Sequence, residues 1–162
     1  MLDYPNAYPY PKTKGFWGIG IENVRSTKNI GTIWRSAYIM GANFIFVIGE
    51  SYKRMRTDTI AAYRQLPLFH YDTLEEFYRA MPMESQLIGV ELDERSVPIV
   101  DFKHPKRALY LMGSEFYGLS DEAKGYCDHI VQLPGTLSLN VSVAASLVMY
   151  DRLMKALPEY QK

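Results

Sequence analysis

Three consecutive segments near the start of this chain restrict its architecture more than any other feature. Phe16 to Ile21 reads as a strand, and Asn29 to Ala42 sets Ile30, Ile33, Trp34, Ala37 and Tyr38 at the spacing of a helix with one buried face. Phe44 to Ile48 follows as an uninterrupted apolar pentapeptide, the pattern of a strand covered on both sides. Two strands joined through a helix form a βαβ unit, which pairs them in parallel. The alternation continues with a helix near Thr73 to Met81 and strands near Gln86 to Val90 and Ala108 to Met112. A short helix from Ser120, a strand near Ile130 to Leu133 and a last helix from about Asn140 to Leu157 complete it. This order predicts an α/β fold, a single domain with a mostly parallel sheet flanked by helices. At 162 residues and 48% hydrophobic, the chain fits one such domain; a domain of this size buries roughly two-thirds of its unfolded surface. Residues 1–14, with three prolines and three tyrosines, are expected to form an extended arm ahead of a domain over 15–162.

Charge and cysteine usage narrow the function classes. Eighteen basic and eighteen acidic side chains cancel, so any nucleic-acid site must be a local patch rather than a property of the whole molecule. Cys127 has no second cysteine to pair with, the first residues lack the apolar core of a signal peptide, and no run of eighteen apolar residues occurs. A cytoplasmic protein away from membranes is expected. His70, His104 and His129 lie far apart in sequence, which gives no metal-ligand spacing.

Three segments stand where chemistry is expected. In the first, a loop leads into Asn29-Ile-Gly31-Thr-Ile-Trp-Arg35, with Asn29 as the expected N-cap. Arg35 falls roughly 130° from the centre of the apolar stripe at about 100° per residue, so it faces away from the core. On the wheel alone it reads as a solvated surface arginine. In the second segment, Gly113-Ser-Glu115-Phe-Tyr-Gly118-Leu-Ser120 joins a strand to a helix. It reads either as a plain turn or as a ligand crevice, with Gly113 admitting close backbone approach and Glu115 supplying a carboxylate. The third, Ser138-Leu-Asn140-Val-Ser142, opens a helix apolar almost all round, and its polar groups are denser than capping needs. One face of that helix can cover the sheet, which leaves the other for a second subunit.

Taken in order, these segments resemble the three motifs of the SpoU/TrmH family of knotted RNA ribose methyltransferases, over roughly residues 17–157. The resemblance implies a deep trefoil knot at the carboxyl terminus, a homodimer, and S-adenosylmethionine as methyl donor with no metal. It places the first-motif asparagine at Asn29 and the essential arginine at Arg35, the second-motif pair at Gly113 and Glu115, and the third-motif pair at Ser138 and Asn140. Leu133, Ser138 and Leu139, with Val90 and Glu91 at the end of the earlier strand, then border the donor together with Gly113. The stretch Leu133-Pro-Gly-Thr-Leu before Ser138 is shorter than in many relatives, which leaves the floor of the donor site open to change.

The implied reaction moves a methyl group onto a ribose 2′-hydroxyl of RNA, with transfer RNA favoured over ribosomal RNA for want of an added RNA-binding domain. A guanidinium is protonated at ordinary pH and lacks an acceptor lone pair. Arg35 is therefore expected first to bind a phosphate and align the ribose, with any role as base depending on the RNA. Lys53, Arg54 and Arg56 with Arg64, and the cluster Lys103, His104, Lys106 and Arg107, are the candidate RNA patches, with Tyr52 and Tyr63 available for stacking. A non-catalytic RNA-binding protein on the same fold is the rival reading, against which the intact Asn29, Arg35, Glu115 and Asn140 set speaks. A dinucleotide enzyme is disfavoured because Gly18-Ile-Gly20 lies inside a strand rather than at a strand-to-helix turn.

Overall fold

The computed structural model describes residues 15–49 and 65–157. The expected arm over 1–14 and the candidate RNA residues Tyr52, Lys53, Arg54, Arg56, Tyr63 and Arg64 lie outside those described residues. Strands β1 (Phe16–Glu22), β2 (Phe44–Ile48), β3 (Leu68–Tyr71), β4 (Gln86–Val90), β5 (Val97–Pro98), β6 (Arg107–Met112) and β7 (His129–Gln132) form one sheet in the order β3-β2-β1-β6-β4-β7-β5. Every pairing is parallel. Helices α1 (Thr27–Ile39), α2 (Leu74–Ala80), α3 (Asp121–Tyr126) and α4 (Val141–Lys155) connect or cover the strands.

Strand periodicity sorts the core into two layers. Trp17, Ile19 and Ile21 of β1, with Tyr110 and Met112 of β6, face α1 and α4. Phe44, Phe46, Leu109 and Leu111 face the other way, toward Leu74 and Phe77 of α2 and Ala123 of α3. On that second face the middle of β1 carries Gly18 and Gly20, with the phenyl rings of Phe44 and Phe46 against them. A Cβ on Gly20 would stand 2.4 Å from a Phe46 ring carbon. Packing against β2 therefore accounts for the two glycines.

The elements depart from the sequence reading in two respects. Ser26, not Asn29, caps α1: its hydroxyl accepts the Asn29 backbone N–H at 3.4 Å. The cap thus lies three residues before the expected one, and the Asn29 side chain is released for other bonds. Two strands escaped the sequence reading. β3 is short and half-exposed, and β5 contains Pro98, which cannot donate to a ladder and sits on an edge strand, where that is tolerated. On α4, Val143, Leu147 and Tyr150 share one exposed face, while Ala144, Ala145, Val148 and Met149 are buried.

The carboxyl-terminal half of α4 is fixed by a buried polar chain. Arg152, 3% exposed, donates to the Tyr110 hydroxyl at 3.0 Å and to the carbonyl of Pro105 at 2.9 Å. The Tyr110 hydroxyl meets Nδ1 of His104, whose Nε2 lies 2.7 Å from Asp151, itself 2.8 Å from Lys155. Since Asp151 accepts from Nε2, the neutral imidazole takes the tyrosine proton at Nδ1. Two members of the second candidate RNA cluster have structural partners: His104 belongs to this chain, and Arg107 donates to the Met83 carbonyl and covers the Phe16 ring, while Lys103 and Lys106 are exposed. His104 and Arg107 precede or open β6, at the sheet edge opposite its carboxyl ends.

Burial lowers the His104 pKa from 6.5 to about 4, against the opposing pull of Asp151. A gap of that size is worth roughly 3 kcal/mol. Because the unfolded chain takes up the proton first, this contribution is intact above about pH 6.5 and fades as pH falls toward 4. Urea unfolding at pH 7 and pH 4.5 should show a larger stability loss for the native chain than for His104→Asn. Equal losses would contradict the assignment.

Candidate active site

Open parallel sheets bind ligands beyond the carboxyl ends of their strands. Here the loops that leave β4, β6 and β7, three neighbouring strands, enclose a cavity of about 260 Å³. Val90 and Glu91 line it from the end of β4, Gly113 and Glu115 from the loop after β6, and Leu133, Ser138 and Leu139 from the loop after β7. The shortened stretch before Ser138 still supplies a wall, since Pro134 and Leu137 also line the cavity. Val141 and Ala144, one turn apart on α4, close it from the helix side. Periodicity marked those two as core, and no sequence signal separated them from the rest of the apolar helix.

The loop after β6 is a rigid turn. Ser114 and Gly118 exchange two backbone hydrogen bonds of 3.0 Å, and the Ser114 hydroxyl accepts from the Tyr117 N–H at 3.2 Å. Gly113 is required by the chain's own backbone: a Cβ there would stand 2.1 Å from the Gly118 carbonyl carbon. The close approach expected at this glycine is thus made by Gly118 and Leu119, within the turn. Gly118 has φ +66°, and a Cβ on it would strike the Glu91 carboxylate. Glu91 in turn accepts the backbone N–H groups of Leu119 and Leu92, each at 2.8 Å. Its carboxylate therefore locks the turn to the end of β4. Glu22, 4% exposed at the end of β1, does the same for the N-cap of α3, accepting both the backbone N–H and the hydroxyl of Ser120. The sequence reading passed over Glu22, although a carboxylate ending an apolar strand at the ligand edge was a signal.

Asn29 joins the three motif segments. Its side-chain amide donates to Glu115 Oε1 at 2.7 Å, and its carbonyl oxygen accepts from the Asn140 amide at 3.2 Å. Asn140 meanwhile caps α4, its oxygen accepting the N–H of Ser142 at 2.9 Å and the Ser142 hydroxyl at 2.7 Å. The other Glu115 oxygen, Oε2, is buried without a hydrogen-bond partner among the described residues. Arg35 is exposed on α1 and does not line the cavity. It stands six residues beyond Asn29, about 9 Å along the helix axis, and forms no ion pair among the described residues.

Cys127 packs over Gly89 beneath the same loops, and burial pushes its thiol up to about 12, which favours the protonated form. Among the described residues, no group of three or more His, Cys, Asp or Glu side chains is placed to hold a metal ion. No helix among them is long and apolar enough to cross a membrane.

A family model described as "SpoU rRNA Methylase family" matches residues 18–150. The chain belongs to that family. Over 155 residues it is 28% identical to the 23S rRNA (uridine(2479)-2'-O)-methyltransferase of Streptomyces viridochromogenes, covering 87% of this chain and 53% of that relative. It is 25% identical over 141 residues to the tRNA (guanosine(18)-2'-O)-methyltransferase of Borreliella burgdorferi, covering 83% of this chain and 65% of the relative. The crystal structure of the SpoU methyltransferase AviRb from Streptomyces viridochromogenes in complex with the cofactor AdoMet superposes with a TM-score of 0.74 at 25% identity, over 92% of this chain and 59% of that one. The chain thus spans about half to two-thirds of the length of these relatives.

Asn29→Ala removes two hydrogen bonds, one of them to a carboxylate, and should lower stability by about 2 kcal/mol in urea unfolding at pH 7. Asn29→Asp, which sets a second carboxylate against Glu115, should be less stable still. An unchanged midpoint in both would show that the three loops are held together by other contacts.

Proposed function

We propose that this SpoU-family chain transfers a methyl group from S-adenosylmethionine to a ribose 2′-hydroxyl of RNA. The observation that carries the proposal is the hydrogen-bonded set Asn140, Asn29 and Glu115 at a cavity walled by the ends of β4, β6 and β7. The residues present suit the donor. Val90, Leu133 and Leu139 give apolar walls for an adenine, and the unpartnered Glu115 Oε2 suits a positively charged group. When bound, S-adenosylmethionine supplies a methyl group made electrophilic by a sulfonium.

The protein's own part is positioning and charge. Glu115, held by Asn29, fixes the cationic end of the donor. Ser138 and Asn140 order the loop beside it, and Gly113, Glu91 and Leu139 shape the rest of the donor site. Arg35 grips a phosphate next to the target ribose through its fork of N–H groups, which aligns the hydroxyl and favours its loss of a proton to a phosphate oxygen or water.

Further elements of this reading are a trefoil knot formed as the segment after β7 passes the loop after β6, and a domain that spans 15–162. A homodimer would cover Val143, Leu147 and Tyr150 on α4, a face that is apolar and exposed in the single chain. A cytoplasmic setting fits an RNA substrate. Transfer RNA is the favoured substrate, in line with the Borreliella burgdorferi relative; 23S ribosomal RNA is the alternative, in line with the relative from Streptomyces viridochromogenes.

With tritiated donor and unmodified transfer RNA, Arg35→Ala should lose roughly a hundred-fold or more in turnover. Calorimetric donor affinity should stay that of the native chain. Near-normal turnover would remove Arg35 from the reaction, and lost donor affinity would move it into the donor site.

A further inference from the structure

The tip of the turn after β6 carries two large aromatic side chains that the donor site does not account for. Phe116 is 75% exposed and Tyr117 78% exposed, yet both border the cavity. Both rings stand open among the described residues, and their backbone is held by the paired Ser114 and Gly118 bonds and by Glu115, which Asn29 ties down. A surface aromatic on so fixed a turn loses little further freedom when a flat partner settles on it. The Arg25 guanidinium carbon lies 5.5 Å from the Tyr117 ring centroid, which brings a cation to the same spot. Lys28, exposed in the first turn of α1, adds a second positive charge on the Asn29 side of the cavity.

Rigid aromatic faces beside exposed cations are the chemistry that binds single-stranded nucleic acid: bases stack on rings while the cations meet phosphates. We propose that Phe116 and Tyr117 form a stacking platform for an unpaired nucleobase of the RNA, at or next to the nucleotide whose ribose is methylated, with Arg25 bracing Tyr117 and meeting the adjoining phosphate. This rests on the RNA methyltransferase reading above and deepens it, by requiring that the target be splayed out of any helix. A ribose at the mouth of the cavity carries its base within reach of this tip, so the platform positions substrate without taking part in the transfer.

The test pairs kinetics with direct binding. Phe116→Ala and Tyr117→Ala should each raise KM for RNA roughly ten-fold, with kcat changed much less, and Tyr117→Phe should restore most of the loss. Donor affinity by calorimetry and mass by sedimentation should match the native chain. Unchanged KM overturns the proposal, a loss of donor affinity assigns the rings to the donor instead, and a change in mass assigns them to contact with a second copy. In Phe116→Trp, the new indole should be quenched by a short single-stranded oligoribonucleotide and not by a duplex of the same sequence; absence of quenching also overturns it. Since this arm needs no turnover, it decides the stacking proposal even if the native chain methylates no RNA offered to it.

Discussion

The walls of the cavity come from stretches of chain far apart in sequence, and one short polar side chain ties them together. Asn29 reaches across 86 positions to Glu115 and across 111 positions to Asn140. Its amide suits the task because it carries a donor and an acceptor at one end. The donor goes to a carboxylate and the acceptor to a second amide, so the set is ordered without a net charge on Asn29. Through this contact Glu115 is tied by hydrogen bonds to the start of α4.

That contact is possible only because the sheet is parallel and both its faces are covered. Parallel pairing sends the exits of β1, β4, β6 and β7 to one edge, and β6 lies between β1 and β4. The start of α1 and the turn after β6 therefore meet at that edge. Two carboxylates then finish the frame, Glu22 fastening the start of α3 and Glu91 fastening the turn to β4. At the opposite edge the buried chain from Arg152 to Asp151 anchors the far end of α4. The helix that closes the cavity is thus held at both ends.

Much of this was legible in the residues. The apolar pentapeptide at β2, the spacing of Ile30, Ile33, Trp34 and Ala37, and the alternation of elements gave the parallel α/β architecture. Motif order led to the segments after β6 and β7, which line the cavity. What escaped the sequence has physical causes. Ser26 and Asn29 are both good capping residues, and only the tertiary bond to Glu115 shows why the serine takes the cap. Gly113 lines the cavity, and its lack of a side chain is also required by the Gly118 and Leu119 backbone, which a glycine in the sequence does not record. β3 and β5 are edge strands, too short and too exposed to carry a periodic signal. Arg35 is exposed, as its place on the wheel indicated.

The central claim is a reaction at one atom, the ribose 2′ oxygen. The most direct measurement is to incubate the protein with labelled S-adenosylmethionine and separate pools of unmodified transfer and ribosomal RNA, digest each to nucleosides, and identify the labelled product by mass spectrometry. The account predicts a 2′-O-methyl nucleoside from one pool. Label on a base, or no label from either pool while the donor is bound, would contradict it.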